Sequence, residues 1–165
     1  MIKNNLKKFV FNFLIVLSIF LIDRLSKIYI INLAKFETLL NIYITPYLNF
    51  YLIWNQGISF GLFPFEDSLS YGIVSIIISI AIVIIIIMAA KENSKFKKYS
   101  LLLILGGALG NLYDRIRFSA VPDFIDIHIL NFHWFIFNVA DIFISVGVIC
   151  LIYAEIFFKK KNEKF

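Results

Sequence analysis

The sequence predicts an all-α membrane protein with four transmembrane helices and a small β element. Composition is the first reason: 61% of the 165 residues are hydrophobic and 16% are charged, whereas soluble domains average about 25% charged residues. Mean hydropathy is correspondingly high, at +0.87. The second reason is that four stretches approach the roughly 20 apolar residues that a helix needs to cross a bilayer. We therefore expect residues 1–165 to form a single integral membrane domain.

The predicted spans cover about residues 9–31, 69–90, 99–116 and 137–158. Residues 69–90 contain no charged side chain and form the clearest span. The first span follows basic residues, as the apolar part of a signal peptide does. No small-residue cleavage site follows Asp23, however, so we interpret this span as a retained anchor.

The basic residues give the expected orientation. The net charge is +5, and most lysines fall into three short patches within residues 3–8, 91–98 and 159–164. Basic patches that punctuate apolar runs follow the positive-inside rule, so both termini and the 91–98 loop are expected in the cytoplasm. Because this placement accounts for the charge, nucleic acid is not expected as a partner.

The connections 32–68 and 114–136 then face outward. Within about residues 36–62, two extended runs flank Pro46, and Leu48, Phe50, Leu52 and Trp54 alternate with more polar positions. This alternation predicts a small β element. Its tyrosines and its tryptophan are residue types that rest at the membrane interface. A simple interfacial cap without regular strands is the alternative.

The predicted spans carry carboxylates at one level. At a rise of about 1.5 Å per residue, Asp23, Asp114 and Asp141 all lie about 21 to 26 Å from the cytoplasmic ends of their helices. An ionisable group inside a span is costly, so each needs a partner, a cavity or a function. One polar layer near the outer edge of the hydrocarbon is therefore a candidate site.

Part of this layer is expected to be structural. The pairs Asp23 with Lys27 and Asn111 with Arg115 are spaced i, i+4, so each pair can share a helix face and satisfy itself. Asp114 and Arg115 are accordingly interpreted as mainly structural. The G-x-x-x-G spacing of Gly106 and Gly110 is expected to permit close helix packing.

Asp141 and Asp123 are the candidate catalytic pair. Asp141 has Asn138 one turn earlier and no basic residue within a turn, and the outer connection supplies Asp123 between apolar neighbours. Two close carboxylates in a low dielectric cannot both ionise cheaply, so one keeps a proton while the other acts as a base. Such a pair suits the activation of water for attack on an amide. From the residues alone, a structural or transport role, as in a membrane channel or scaffold, stays open.

A second motif competes with this pair. Residues 57–61 match G-x-S-x-G around Ser59, and Asp123 and then His128 or His133 follow in hydrolase order. A nucleophile elbow needs a large α/β sheet that this chain has no room for, although an intramembrane serine protease using Ser59 remains an alternative. The two histidines are too few and too weakly spaced to predict a metal site, and we expect packing or lipid contact from them.

Taken together, these motifs resemble the lipoprotein signal peptidases of bacteria, also called signal peptidase II. The resemblance covers nearly the whole chain, in five ordered stretches: residues 23–27 (DRLSK), 55–61 (NQGISFG), 106–115 (GGALGNLYDR), 121–126 (VPDFID) and 137–141 (FNVAD). Pro122 departs from the valine-like residue that is more usual in the family. Each stretch alone is weak evidence, whereas five in order on a chain with four predicted spans are specific.

The resemblance implies an aspartic endopeptidase of the bacterial inner membrane that cuts diacylglyceryl-modified prolipoproteins before the lipidated cysteine. It assigns the catalytic carboxylates to Asp123 and Asp141 and implies an outward-facing β-cradle and an active site near the outer face. It further implies inhibition by cyclic peptides such as globomycin, contact with membrane lipid, and no metal or organic cofactor. We expect a monomer. The matching substrate-binding or supporting positions are Asp23, Lys27, Asn55, Gly57, Asn111, Arg115 and Asn138.

Overall fold

The computed structural model describes residues 2–35, 41–57, 68–130 and 132–162. These residues form four long helices and a small antiparallel sheet. In chain order the elements are α1 (Ile2–Ala34), β1 (Asn41–Thr45), β2 (Leu48–Asn55), α2 (Ser68–Lys91), α3 (Lys95–Phe118), β3 (Val121–Ile129), β4 (Phe132–Phe137) and α4 (Val139–Asn162). The predicted fold class, mostly helical with a small β element, is confirmed at this level.

Three of the helices contain segments long and apolar enough to cross a membrane: Asn5–Ala34 in α1, Tyr71–Lys91 in α2 and Val139–Phe157 in α4. Many large apolar side chains on these helices point away from the protein; Phe9, Ile76 and Ile149 are 68%, 62% and 65% exposed. Such continuous apolar surface is suited to lipid rather than to water. Helix α3 is not among these segments, and charged residues lie at both of its ends, with Lys98 and Asp114 bounding its uncharged part.

Helix α3 lies at the centre of the bundle and contacts α1, α2 and α4. Its glycines permit this close approach. A Cβ atom at Gly106 would lie 2.7 Å from the Ile19 side chain of α1, and one at Gly107 would lie 2.5 Å from the Ala140 carbonyl oxygen of α4. A Cβ at Gly110 would meet the Asp23 carboxylate at 2.5 Å. The predicted close packing at Gly106 and Gly110 is confirmed, and Gly107 extends it to α4.

The sheet has the order β1-β2-β3-β4 with antiparallel neighbours, and is larger than the β element predicted from the sequence. Strands β1 and β2 form the predicted pair around Pro46, but β3 and β4 lie in the 114–136 connection and its edge, where no strands were predicted. The first residues of β3 are buried on successive positions, so they lack the alternation that marks a half-buried strand. Residues 36–40 and 58–62 of the predicted range lie outside the described residues.

The sheet is anchored on the C-terminal end of α1. Ile30 of α1 and Phe124 of β3 form a buried core, against which Phe50 and Leu52 of β2 also pack. The register between β2 and β3 shifts between Phe50 and Ile53, so the regular alternation predicted for β2 is interrupted. At the end of α3, Ser119 adopts a left-handed conformation with φ of 52° and turns the chain into β3. The catalytic candidate Asp123 is thereby brought over the helix bundle.

The Gly107 contact gives a direct test of the α3–α4 interface. We expect Gly107→Val to lower the melting temperature and to cost about 1 to 3 kcal/mol, because the added Cβ meets backbone that cannot move aside cheaply. Gly72→Val is the matched control, since a Cβ there has no neighbour within 4 Å and the helix propensity of valine affects both variants alike. Thermal unfolding in detergent micelles measures both. Equal melting temperatures for Gly107→Val and the wild type would contradict the packing.

Candidate active site

A buried ammonium group joins α1 to α3. The Lys27 side chain is fully buried, and its Nζ donates to Asp23 Oδ2 at 2.9 Å, to Asn111 Oδ1 at 2.9 Å and to Asp114 Oδ2 at 2.8 Å. An ammonium has three N–H donors, so these acceptors satisfy it completely. The other oxygen of Asp23 accepts from the backbone N–H of Ala140 at 2.9 Å. The polar layer predicted from the sequence therefore connects α1, α3 and the start of α4.

The structure confirms one predicted i, i+4 pair and not the other. Asp23 and Lys27 form the expected ion pair. Asn111 does not pair with Arg115; its oxygen accepts from Lys27 and its amide donates to Asp141 at 2.8 Å. That prediction was wrong because partners on neighbouring helices are available, and helical spacing alone does not reveal them. Asp114 is also paired across helices, with Arg24 and Lys27 of α1.

Asp123 lies on β3 and is enclosed, with 1% of its surface exposed. Both carboxylate oxygens accept from asparagine amides: Oδ2 from Asn55 Nδ2 at 2.8 Å and Oδ1 from Asn138 Nδ2 at 2.6 Å. The neighbouring Pro122 does not interrupt the strand, since it pairs with Trp54 of β2. The departure from the family pattern at Pro122 therefore leaves Asp123 within β3, where it pairs with Ile53 of β2.

Asp141 lies in the first turn of α4 and closes a capping box with Asn138. Asp141 Oδ2 accepts from the backbone N–H of Asn138 at 3.1 Å, and Asn138 Oδ1 accepts from the backbone N–H of Asp141 at 3.2 Å. The sequence N-V-A-D at residues 138–141 is a capping pattern, whereas the span predicted from apolar residues alone starts earlier, at residue 137. Since Asn138 contacts both Asp123 and Asp141, the predicted pair is brought to one place.

The three asparagines around the pair share one arrangement. In each, the side-chain oxygen accepts a hydrogen bond that fixes its direction. The oxygen of Asn55 accepts from the backbone N–H of Gly57 at 2.9 Å, that of Asn111 from Lys27, and that of Asn138 from the backbone N–H of Asp141. The amide NH₂ of each must then point the other way, and it donates to Asp123 or Asp141. Spacing in the sequence carries no signal for this orientation, because it follows from contacts between separate elements.

Burial and a neighbouring charge change the acidity of Asp123. Burial, followed by the negative charge of Asp141, raises the pKa of Asp123 to about 7. The amide donors Asn138 and Asn55 act in the opposite direction, because they stabilise the carboxylate. Near neutral pH this carboxyl group therefore populates both its protonated and its ionised form, as suits a group that acts in acid–base catalysis.

Arg115 has partners outside the polar layer around Lys27. Its Nη2 donates to the Gly57 carbonyl oxygen at 2.8 Å, and its guanidinium lies 5.6 Å from the centre of the Tyr71 ring of α2. Arg115 thus holds the end of the segment that leaves β2 against α3. This contact fits a positioning role at the site and extends the mainly structural one predicted from the sequence.

The serine and histidine candidates do not form a triad in the described residues. Ser59 lies outside those residues. His133 Nδ1 lies 2.9 Å from Asp126 Oδ2, and His128 stacks on His133 with ring centres 5.0 Å apart. Both histidines are therefore directed to Asp126 rather than to Asp123.

Asp141 also borders a cavity of about 270 Å³ between β4 and α4. Most of its lining is apolar, and Asp141 itself is partly exposed there while Asp123 is enclosed. The other lining residues are Trp134, Phe137, Ile142, Ser145 and Val146. An extended apolar chain can therefore reach one carboxylate of the pair from the side of the bundle.

Comparison with known proteins identifies the family. The family model described as signal peptidase (SPase) II matches residues 15–157, a range that contains both carboxylates and all three asparagines. The chain belongs to the signal peptidase II family. The family is one of aspartic proteases, and the match confirms the resemblance drawn from the five sequence stretches.

Individual relatives extend the match along the chain. A lipoprotein signal peptidase of Pelagibacter ubique is 55% identical over 164 residues, which are 98% of each chain. One of Anaplasma phagocytophilum is 38% identical over 160 residues, covering 96% of this chain and 98% of the relative. A solved structure titled as a bacterial membrane enzyme superposes with a TM-score of 0.72 at 33% identity, covering 93% and 91% of the two chains. A membrane enzyme of this family is thus consistent with the apolar helices α1, α2 and α4.

Removing the buried ammonium should destabilise the fold. We expect Lys27→Met to cost about 3 to 5 kcal/mol, because it leaves the buried carboxylates of Asp23 and Asp114 without a shared counter-charge. Lys35→Met is the matched control: Lys35 is exposed, and its Nζ donates to Asn32, so its loss should be nearly neutral. Unfolding in mixed micelles measures both variants. A Lys27→Met protein as stable as Lys35→Met would contradict the central role of this group.

The acidity of Asp123 should respond in opposite directions to its two neighbours. Asp141→Asn removes the negative charge that raises the pKa of Asp123, so that pKa should fall below about 7 while staying above the ordinary value of an aspartate, because Asp123 remains buried. Asn55→Ala removes a donor to the carboxylate, so the pKa of Asp123 should rise. Carbon NMR of labelled aspartate side chains during a pH titration measures both. A shift of the same sign in the two variants would refute the assigned causes.

Proposed function

We propose that this chain is an endopeptidase that removes the signal peptide from diacylglyceryl-modified prolipoproteins, cutting before the lipidated cysteine. The catalytic groups are Asp123 and Asp141. The observation that carries the proposal is the position of Asn138, which donates to both carboxylates, through its side chain to Asp123 and through its backbone to Asp141. Membership of the signal peptidase II family supports the substrate class.

In the proposed reaction the pair shares one proton. Asp123, whose pKa is raised to about 7, holds the proton and donates a hydrogen bond to the carbonyl oxygen of the scissile amide. Asp141 accepts a proton from water, whose oxygen attacks the carbonyl carbon to form a tetrahedral intermediate. Collapse of this intermediate breaks the C–N bond, and the leaving nitrogen takes up a proton from the pair. The roles of the two acids depend on their different burial.

The supporting residues set the electrostatics of this reaction. The amides of Asn55, Asn111 and Asn138 donate to the carboxylates and fix their orientation. The apolar cavity beside Asp141 would take an extended apolar part of the substrate next to the scissile bond. Globomycin-type cyclic peptides would inhibit by occupying the same space. The reaction requires no metal or organic cofactor.

The proposed setting is the inner membrane of a bacterium, with all four helices spanning it and the protein acting as a monomer. Helix α3 would cross despite the charged residues at its ends, because α1, α2 and α4 surround it and its polar residues Asp114 and Asn111 are paired with α1. Both termini and the 91–98 loop would then be cytoplasmic, and the sheet with Asp123 would lie at the outer face.

The aspartate mechanism predicts that Asp123→Asn and Asp141→Asn each lower cleavage of a diacylglyceryl prolipoprotein by at least about 100-fold, because asparagine cannot transfer the proton at neutral pH. Both variants should still bind the precursor. Wild-type activity should fall above about pH 7 as Asp123 loses its proton and fall again in acid, when both carboxyl groups are protonated. Cleavage assays with purified protein in lipid nanodiscs measure these effects.

Two controls separate this mechanism from its alternatives. Glu92→Gln removes a carboxylate in the connection between α2 and α3 and should leave cleavage unchanged. Ser59→Ala should keep substantial activity. If the Ser59→Ala protein is inactive while Asp123→Asn and Asp141→Asn both remain active, the serine mechanism is correct. Wild-type protein that never cleaves an authentic precursor would instead favour a channel or scaffold.

Cysteine labelling tests the proposed topology. In a Cys150→Ser background, a cysteine at Leu130, which is 88% exposed at the β3–β4 turn, should react with an impermeant maleimide in intact cells. A cysteine at Lys95, at the start of α3, should react only after the inner membrane is permeabilised. Labelling of the Lys95 position in intact cells would overturn the orientation.

A further inference from the structure

The β3–β4 hairpin gathers three side chains that are common metal ligands. Asp126 and His128 lie on β3, and His133 on β4 pairs directly with His128. One ligand atom from each residue lies within 4.8 Å of the others. His133 Nδ1 is 2.9 Å and His128 Nδ1 is 3.7 Å from the same Asp126 oxygen, Oδ2.

His128 has a buried ring nitrogen that no hydrogen bond within the described residues satisfies. It is 9% exposed, and its Nδ1 is buried without a hydrogen-bond partner among the described residues. A buried imidazole nitrogen left unpaired is costly. This nitrogen faces the Asp126 carboxylate at a distance too long for a hydrogen bond, which leaves space for a small ion between the two groups.

We propose that Asp126, His128 and His133 bind one Zn²⁺-class divalent transition-metal ion, through Oδ2 and the two Nδ1 atoms. Tetrahedral zinc with bonds of about 2.0 to 2.2 Å places its ligand atoms about 3.4 Å apart, a value between the two distances to Oδ2. Two imidazoles and one carboxylate favour zinc, copper or cobalt over magnesium or calcium, which prefer oxygen ligands.

The surroundings leave a position for a fourth ligand. A cavity of about 320 Å³ is lined by Asp126 and His133 and by Asn49 of β2. Asn49 pairs with Asp126 across the sheet, and its Oδ1 is buried without a hydrogen-bond partner among the described residues. A water bound to the metal can donate to this oxygen. The ion would thereby connect β2, β3 and β4.

This site differs from the proposed catalytic pair. Asp123 and Asp141 are held by asparagines and by helix α4, whereas these ligands belong to the sheet. The sequence spacing predicts no metal site here, because it counts the two histidines and does not reveal that the hairpin brings Asp126 to them. We therefore expect the ion to stabilise the sheet and take no part in amide hydrolysis.

The test uses Co²⁺ and Zn²⁺ alone, with tag-free, chelator-treated full-length protein in detergent micelles. Titration with Co²⁺ should give a saturable visible absorption band at one ion per chain, which Zn²⁺ abolishes and Mg²⁺ does not. The chain has two histidines, and both belong to this site. A Co²⁺ absorption band that depends on histidine coordination must therefore come from this site. Zn²⁺ should also raise the melting temperature of the wild type.

Three variants decide the outcome. His133→Gln and His128→Phe should each weaken Co²⁺ binding by at least about tenfold, and Glu92→Gln, which removes a carboxylate elsewhere, should leave it unchanged. His133 is more than half exposed, so His133→Gln should fold even if His128→Phe does not. Absence of a saturable band, or an unchanged band in folded His133→Gln protein, would overturn the proposal and leave a simple Asp126–His133 ion pair. Cleavage is not the readout, so this result is independent of the proposed function.

Discussion

The buried ammonium group of Lys27 is the constraint from which the rest of the polar layer follows. A charge enclosed at this depth must be fully compensated, and its three donors find two carboxylates and an amide oxygen on α1 and α3. This requirement fixes the rotation of both helices about their axes. Because Asp23 also accepts from the first turn of α4, the position of Asp141 depends on the same group.

The asparagine amides link the buried ammonium group to the carboxylate pair. Lys27 engages the oxygen of Asn111, so the NH₂ group of Asn111 must face Asp141. Asn55 and Asn138 repeat the arrangement with backbone donors and face Asp123. In the proposed mechanism these fixed donors preorganise the carboxylate pair for proton transfer, because the dipoles need not reorient when charge moves. The site thus combines acids of different burial with dipoles of fixed direction.

Helix α3 is less apolar than the other helices, and its central position in the bundle accommodates its polar residues. It carries charged residues at both ends, yet it lies between the other helices. Gly106, Gly107 and Gly110 allow its neighbours to approach so closely that α1 and α4 can supply partners for its polar side chains. A helix in this position faces protein more than lipid, so polar residues cost less there than on α2.

Much of this protein was determined by the sequence alone. Apolar runs predicted the long helices, and the five ordered stretches indicated the family. The same stretches led to the proposal that Asp123 and Asp141 are the catalytic pair. The sequence did not reveal that Asn111 pairs with Lys27 rather than Arg115, that β3 and β4 complete the sheet, or that Asp126 meets two histidines. Helical period and strand alternation describe contacts within one element, whereas these contacts join elements far apart in the chain. Only the tertiary structure decides them, because the free energy of a buried polar group depends on which partner the packing of other elements brings within hydrogen-bond distance.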